Sequence, residues 1–239
     1  MFEDLRRVVT SAADRFKRRF YGPTFRCPVC HLVLAAIDAD GNGLLVCPVC
    51  GAVLEIEQVY GHIVPVVLDM EIFRPQPKAR LHPVSTHLPI GLFPFALLGA
   101  AVLFLVSLLP AGEGHLALAG LVGGAPVLAD ATLVLLVLSV GFSALTFASG
   151  YRDWRVRYRG RPYRQITLKI VCSAIFLAVG AIAIALHASG LVFAAGSGLM
   201  RLGSPLGLAA ALAYLGALGT NMIVLATLGH VGGTLVFGR

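Results

Sequence analysis

Four long apolar segments dominate the last two thirds of the chain. They lie at about 88–109, 131–149, 166–187 and 208–228, and each is close to the roughly 20 residues that a transmembrane helix needs. Their only charged residue is Lys169, one turn into the third segment, where its long stem can carry the ammonium group to the membrane interface. The pattern predicts four membrane-spanning helices, and their many glycine, alanine and serine residues favour close packing in a bundle.

The N-terminal third has shorter and more polar patterns. Residues 1–23 place apolar side chains at helical spacing among six arginine and lysine residues. This predicts an amphipathic helix that lies either on an anionic membrane surface or on the protein's own soluble domain. Residues 24–69 contain four cysteines and are interpreted as a small metal-binding domain. The proline-containing stretch 70–81 then links this domain to a transmembrane domain at 82–239.

The composition agrees with a membrane protein. The chain is 57% hydrophobic and only 13% charged, whereas about a quarter of the residues in soluble domains are charged. The formal net charge is +7, but the basic excess within 82–239 comes mostly from one short loop. We therefore expect the lipid bilayer as a partner of this chain and no nucleic acid.

The lysine and arginine counts predict the orientation in the membrane. Ten of these residues precede the first apolar segment, none lies between the first and second, and six lie between the second and third. Only Arg201 separates the third and fourth segments, and Arg239 ends the chain. Because loops rich in Lys and Arg stay in the cytoplasm, both termini and the arginine-rich loop are expected to be cytoplasmic.

Two cysteine pairs predict a metal site. Cys27-Pro-Val-Cys30 and Cys47-Pro-Val-Cys50-Gly51 are separated by 16 residues, and two such knuckles present four thiolates in a tetrahedron. Zinc is the favoured ion and iron is the alternative, since both accept four thiolates. A pair of disulfides is disfavoured by the predicted cytoplasmic location. The stretch Asp40-Gly-Asn-Gly43 is interpreted as a hairpin turn between the knuckles.

Residues 24–69 resemble two kinds of small metal domain. The second knuckle and the ending Gly61-His-Ile-Val-Pro-Val-Val-Leu68 are similar to zinc ribbons related to the activator subunit of tRNA methyltransferases. The chain departs from that pattern at His31 and Val64. The CPVCG knuckle is also similar to that of rubredoxin, which implies iron. The predicted fold class is an all-α transmembrane four-helix bundle with a small N-terminal β zinc-ribbon (rubredoxin-like) domain.

Three polar motifs accompany the apolar segments. They are His82-Pro-Val-Ser-Thr-His87-Leu-Pro-Ile-Gly91, Gly150-Tyr-Arg-Asp153-Trp154 with the arginines that follow, and Gly229-His230-Val-Gly-Gly233. In this order they resemble the bacterial four-helix membrane proteins of the domain-of-unknown-function 2231 family, over residues 82–237. The resemblance implies a multi-pass protein of the bacterial inner (cytoplasmic) membrane and carries no assigned chemistry.

The predicted topology places the motif residues on one membrane face, which is also the face of the cysteine domain. Polar residues at the mouth of a helix bundle are a candidate site. The residues concerned are His82, His87, Asp153, Trp154, Lys169 and His230. If the first helix begins near Ser85, His82 can fold back beside His87.

Two main functions remain open for this face. In the first, the polar cluster closes the bundle mouth, and the metal ribbon binds or couples a cytoplasmic or membrane protein partner. In the second, His87 and His230 bind a b-type haem, and the protein transfers electrons, with or without an iron centre in the ribbon. Transport or metal handling is a third alternative. No motif of a nucleotide-binding or nucleophilic enzyme is present, so we expect no enzyme activity beyond that of a redox subunit.

Four further residues carry simple structural predictions. Asp130 is expected to cap the start of the second helix, and His187 is expected to lie at the outer membrane interface. Cys172 is expected to be a small buried residue of the third helix. Asn221 is expected to form a hydrogen bond to a neighbouring helix.

Overall fold

The computed structural model describes residues 14, 17, 18, 20–71, 81–109, 116–161 and 163–237. The chain divides into two compact units. One holds residues 1–78 with 152–170 and 229–239, and the other holds 79–151 with 171–228. The predicted amphipathic helix lies mostly outside the described residues. Within 1–23, Asp14, Lys17, Arg18, Phe20 and Tyr21 are helical.

The N-terminal domain is a ribbon of five short strands. They are β1 Thr24–Arg26, β2 Val33–Ala35, β3 Leu44–Val46, β4 Ala52–Val59 and β5 His62–Met70. β1 pairs with β2, and β3, β4 and β5 form an antiparallel sheet in that order. Tyr60 and Gly61 join β4 to β5, both with positive φ, as expected of a two-residue type I′ turn.

The ribbon has a very small hydrophobic core. Two of the cysteines belong to this core. Its buried members are Phe25, Cys27, Leu32, Leu34, Leu45, Cys47, Ala52 and Leu54. A domain of this size buries too little apolar surface to be stable without a cross-link or a metal. The core therefore agrees with a domain that a metal ion holds together.

The stretch 40–43 is a turn but not a hairpin between paired strands, which corrects the prediction. Asp40 Oδ1 accepts hydrogen bonds from the backbone N–H groups of Asn42 and Leu44 at 3.0 and 2.9 Å, and Gly43 has φ of 78°. The flanking strands β2 and β3 belong to different sheets. Each cysteine knuckle is instead the hairpin turn, since β1 pairs with β2 and β3 pairs with β4 across it.

Four long helices follow the ribbon. They are α1 Leu81–Leu108, α2 Leu116–Arg157, α3 Arg164–Ala188 and α4 Pro205–Phe237. Each contains a stretch long and apolar enough to cross a membrane, namely Val84–Leu108, Val122–Val156, Arg164–Ala188 and Pro205–Gly233. The chain is therefore a multi-pass membrane protein, and the predicted fold class is confirmed.

Helix α2 is much longer than the sequence pattern predicts. It begins at Leu116 rather than near 131, so most of the stretch 110–130 is helical and not a loop. Asp130 lies inside the helix, and its predicted role as the cap is wrong. Residues 116–129 contain no charged side chain, and the helix continues through Pro126.

The second unit has its own apolar core. Phe93 of α1 packs edge-to-face on Phe176 of α3, with ring centroids 5.3 Å apart. Asn221 of α4 is fully buried and donates from Nδ2 to the Phe176 carbonyl at 3.2 Å, which confirms the predicted bond to a neighbouring helix. A Cβ on Gly99 would lie 2.4 Å from Thr132 Oγ1, so this glycine permits the close approach of α1 and α2.

His187, which was expected at the outer membrane interface, is buried within the protein next to the end of α3. Its Nδ1 lies 3.0 Å from the hydroxyl of Tyr214 on α4, and the ring of Phe193 packs 4.4 Å from the imidazole. Phe193 belongs to the segment between α3 and α4, which folds back through a bridge to Met200. This segment covers His187, which a count of apolar residues does not reveal. Cys172 is buried, as predicted.

Candidate metal centre

The two cysteine knuckles have the same backbone geometry. In the first, Cys27 N–H donates to Leu32 O at 2.9 Å, and His31 N–H donates to Cys27 O at 2.9 Å. In the second, Cys47 N–H donates to Ala52 O at 2.8 Å, and Gly51 N–H donates to Cys47 O at 3.1 Å. Each knuckle is thus a tight turn that closes a hairpin and presents two thiols on one side.

The four sulfur atoms form one cluster. Cys27 Sγ lies 3.6 Å from Cys50 Sγ, and Cys30 Sγ lies 3.5 Å from Cys47 Sγ. All four sulfurs lie within 4.8 Å of one another. A tetrahedron of sulfurs about 2.3 Å from zinc has S···S distances of about 3.8 Å. The cluster therefore fits a single four-coordinate ion such as zinc or iron, and each of these two sulfur pairs joins one knuckle to the other.

Burial and backbone dipoles act in opposite directions on the thiols. Burial raises the pKa of Cys27, but hydrogen bonds from the backbone N–H groups of Cys30 and Val29 and from the thiols of Cys50 and Cys30 together outweigh it, and the pKa falls below its ordinary value. At Cys47 burial prevails over the N–H groups of Cys50 and Val49, and the pKa is raised. Burial also raises the pKa of Cys50. A metal ion binds only thiolates, so loading of this cluster releases protons.

The two knuckles differ in the residue that follows the second cysteine, where the backbone is left-handed. The first knuckle has His31 there, and the second has Gly51. His31 follows Cys30 and has φ of 60°, while Gly51 follows Cys50 with φ of 87°. Glycine adopts this left-handed region freely, whereas other residues are strained there by roughly 1 kcal/mol. The side chain of His31 is exposed, and four thiols already complete the site, so His31 is a surface residue and not a ligand.

Replacing His31 with glycine should stabilise the first knuckle by about 1 kcal/mol, because it relieves the left-handed strain. The rate at which a chelator removes the metal from the full-length protein measures this effect and should fall. Gly51→Ala is the matched control, and it should raise that rate. Equal rates for His31→Gly and the wild type would contradict the strain argument.

The ribbon is attached to the loop that joins α2 and α3 and to the first turn of α3. The hydroxyl of the buried Tyr163 donates to Val46 O at 2.7 Å. The side-chain amide of Gln165 donates to Val33 O. The backbone N–H of Arg164 donates to Asp38 Oδ2 at 3.1 Å. These contacts place the ribbon on the same side of the membrane as the loop between α2 and α3.

Trp154 shapes this loop. Its Nε1 donates to Arg161 O at 2.7 Å, and its own carbonyl accepts from Tyr158 N–H at 3.1 Å and Gly160 N–H at 3.2 Å. Arg159 and Gly160 have positive φ, as is common where a helix ends in a left-handed turn. The predicted site residue Trp154 therefore folds the loop that holds the ribbon.

A cleft opens where the loop meets the second knuckle. Val46, Cys47, Pro48 and Glu71 line it from the ribbon, and Tyr158, Arg159, Arg161 and Tyr163 line it from the loop. Arg159 forms an ion pair of 3.1 Å with Glu71. The arginine side chain is 65% exposed, and such surface pairs contribute at most about 1 kcal/mol. The buried hydrogen bonds of Tyr163 and Gln165 therefore matter more for the attachment.

The other predicted site residues lie in different surroundings. His82 and His87 belong to the second unit, whereas Asp153, Trp154, Lys169 and His230 belong to the first. α1 already begins at Leu81, so His82 does not fold back from an entry segment, and five residues of helix separate the histidines by about 140°. His82 Nδ1 lies 3.1 Å from Thr146 O of α2.

Gly150 makes room for the imidazole of His82. A Cβ at this position would lie 2.7 Å from His82 Cε1, which explains why a glycine precedes the Asp-Trp pair. The side chains of His87 and His230 are both exposed, and those of Asp153 and Lys169 are partly buried. The haem hypothesis for His87 and His230 stays a prediction.

Sequence reasoning missed the residues that attach the ribbon. Asp38, Gln165 and Tyr163 have no motif, and their partners are distant in sequence: 117 positions separate Tyr163 from Val46. The only available signal was a tyrosine placed between Arg161 and Arg164 in an otherwise basic loop.

No protein-family model, no curated protein and no solved structure matches this chain. The resemblances of 24–69 and 82–237 to known families therefore remain predictions. The class of protein follows from the fold and the site alone: a multi-pass membrane protein that carries a four-cysteine ribbon able to bind a metal ion.

Proposed function

We propose that the chain is a membrane-anchored metal-ribbon protein that couples a protein partner to its membrane helices on the cytoplasmic side. One observation carries the proposal: the ribbon is bonded through Tyr163 to the loop between two membrane-spanning helices, and through Arg164 and Gln165 to the first turn of the second of these helices. A ribbon held in this way is a fixed platform next to the membrane. The arginine content of the loop supports the cytoplasmic side.

The hairpin of β4 and β5 is the best candidate for the partner-binding surface. β5 is an edge of its sheet among the described residues, and Val66, Val67 and Leu68 on it are between 37% and 53% exposed. An exposed apolar edge strand readily pairs with an extended segment of another protein. We therefore propose that the partner contributes such a segment.

A photo-crosslinking residue at Val66, in the full-length protein in its native membrane, tests this function. We expect a discrete cross-linked protein adduct at this position. The same probe at the exposed Arg26 of β1 is the control and should give no adduct. An adduct at Val66 should also disappear in the Cys47→Ser variant. Absence of an adduct at Val66 in a metal-loaded protein would overturn the coupling proposal.

Electron transfer is the second candidate, and the donor set is compatible with it. Four thiolates accept iron as well as zinc, and an iron-loaded ribbon is a one-electron carrier. Elemental analysis and a visible spectrum of the detergent-purified protein distinguish the two candidates. One zinc per chain and a colourless protein support coupling. One iron per chain with a thiolate-to-iron absorption supports electron transfer, and a Soret band lost in His87→Ala and His230→Ala would add a haem.

A further inference from the structure

The loop between α2 and α3 contacts the metal centre through its second knuckle. The carbonyl of Val46 accepts a hydrogen bond from the hydroxyl of Tyr163. Val46 directly precedes the metal ligand Cys47. After β5 the chain returns to the same knuckle, since Glu71 N–H donates to Gly51 O at 2.8 Å. Glu71 in turn pairs with Arg159 of the loop. Two bonded paths therefore connect the loop to the backbone that holds Cys47 and Cys50.

Two arginines face the same cleft as the ligand Cys47. Arg159 and Arg161 line this cleft together with Cys47 and Pro48. Arg159 pairs with Glu71. The guanidinium group of Arg161 makes no hydrogen bond or ion pair with the residues that the structure describes. Arg161 is partly buried in the wall of a cleft that the ligand Cys47 also lines, so its positive charge faces the part of the site that becomes more negative when metal binds.

The charges of the ribbon and of the loop are opposite. Residues 24–71 contain six carboxylates and one arginine, a net charge of −5. The loop itself, residues 158–163, contains two arginines and no acidic residue, a net charge of +2. A divalent ion held by four thiolates carries a further net charge of −2. Metal loading therefore makes the ribbon a stronger electrostatic partner of the loop.

We propose that the loop is an outer part of the metal centre. Tyr163 fixes the strand that leads into Cys47, and Arg161 with Arg159 offsets the negative charge of the loaded site. Metal binding and attachment of the ribbon to the membrane helices then strengthen each other, because such coupling is reciprocal. Through this loop the ends of α2 and α3 respond to the metal content of the ribbon. The inference rests on the metal-binding ribbon of the proposed function and assigns its regulation.

Zinc affinity of the full-length protein in detergent, measured by competition with a chromogenic chelator, tests the inference. Partners just outside the ligand shell typically change metal affinity by 10- to 100-fold. We expect Tyr163→Phe to lower the affinity about tenfold at any salt concentration. Arg161→Gln should lower it by a few-fold at low salt, and less at about 1 M salt, where charges are screened. Tyr60→Phe at the exposed hairpin tip and Arg152→Gln, outside the cleft, are the matched controls and should not change it.

Amide exchange provides the reciprocal measurement. The N–H of Arg164 donates to Asp38 of the ribbon, so this amide should exchange faster when a chelator removes the metal. Unchanged zinc affinity in both Tyr163→Phe and Arg161→Gln would overturn the inference while the metal-ribbon function stands. A wild-type protein that takes up neither zinc nor iron would instead overturn that function, and the inference with it.

Discussion

Replacing Cys47 with serine is expected to remove the metal from the full-length protein and to unfold the ribbon. Cys47 is fully buried, both as a ligand and as a member of the ribbon core. Binding of a structural zinc ion supplies about 10–16 kcal/mol in small domains, which exceeds what so small a core provides. Elemental analysis of the purified protein should show a fall from about one metal ion per chain to nearly none.

Cys172→Ser is the control for this experiment. Cys172 is the fifth cysteine, lies in α3 and is not a member of the four-sulfur group. This variant should keep one metal ion per chain. Helical content should stay near the wild-type value in both variants, since the helices of the second unit have a hydrophobic core of their own. A Cys47→Ser protein that retains a full equivalent of metal would contradict the assignment of the four ligands.

The ribbon knuckles and the four helices could be predicted because each depends on neighbouring residues. A CPVC turn brings two thiols together within four residues, and its backbone bonds are local. Twenty uncharged apolar residues must form a helix in a bilayer, since no water is present to bond the backbone. The knuckles and the helices can therefore be predicted from short stretches of sequence, without knowledge of how the rest of the chain folds.

The start of α2 could not be predicted in the same way. Residues 116–130 contain three glycines, Pro126 and Asp130, which favour a loop followed by a capped helix. In the structure the helix passes through all of them. The reason lies in tertiary packing: Ala125 and Ala129 are buried in the core of the second unit, and this burial outweighs the local preference for a turn.

The attachment of the ribbon and the burial of His187 could not be predicted because both join distant positions. Gln165 and its acceptor Val33 lie 132 positions apart, and neither belongs to a periodic pattern. His187 occupies the end of an apolar segment, where an interfacial position is the usual expectation. In the folded structure, Phe193 of the segment between α3 and α4 and Tyr214 of α4 enclose His187.

The segment between α3 and α4 also contains a glycine, Gly198, whose replacement is expected to have a large effect on stability. Gly198 has φ of 64°, and a Cβ at this position would lie 2.5 Å from Ala125 O and from two backbone atoms of Pro126. Backbone atoms of a packed helix cannot move aside as a flexible side chain can. Gly198→Ala should therefore destabilise the membrane domain by about 3 kcal/mol, from roughly 1 kcal/mol of left-handed strain and about 2 kcal/mol of overpacking.

Gly196→Ala separates the two contributions. Gly196 lies two residues away with φ of 78°, but a Cβ there meets no atom within 4 Å. This variant should cost only the strain of about 1 kcal/mol. Unfolding of both variants in detergent, followed by loss of helical circular dichroism, measures the difference. Equal destabilisation would show that the contact of Gly198 with Ala125 and Pro126 of α2 does not hold the segment between α3 and α4 in place. A Gly198→Ala protein that is clearly less stable than Gly196→Ala would establish that this segment is packed against α2.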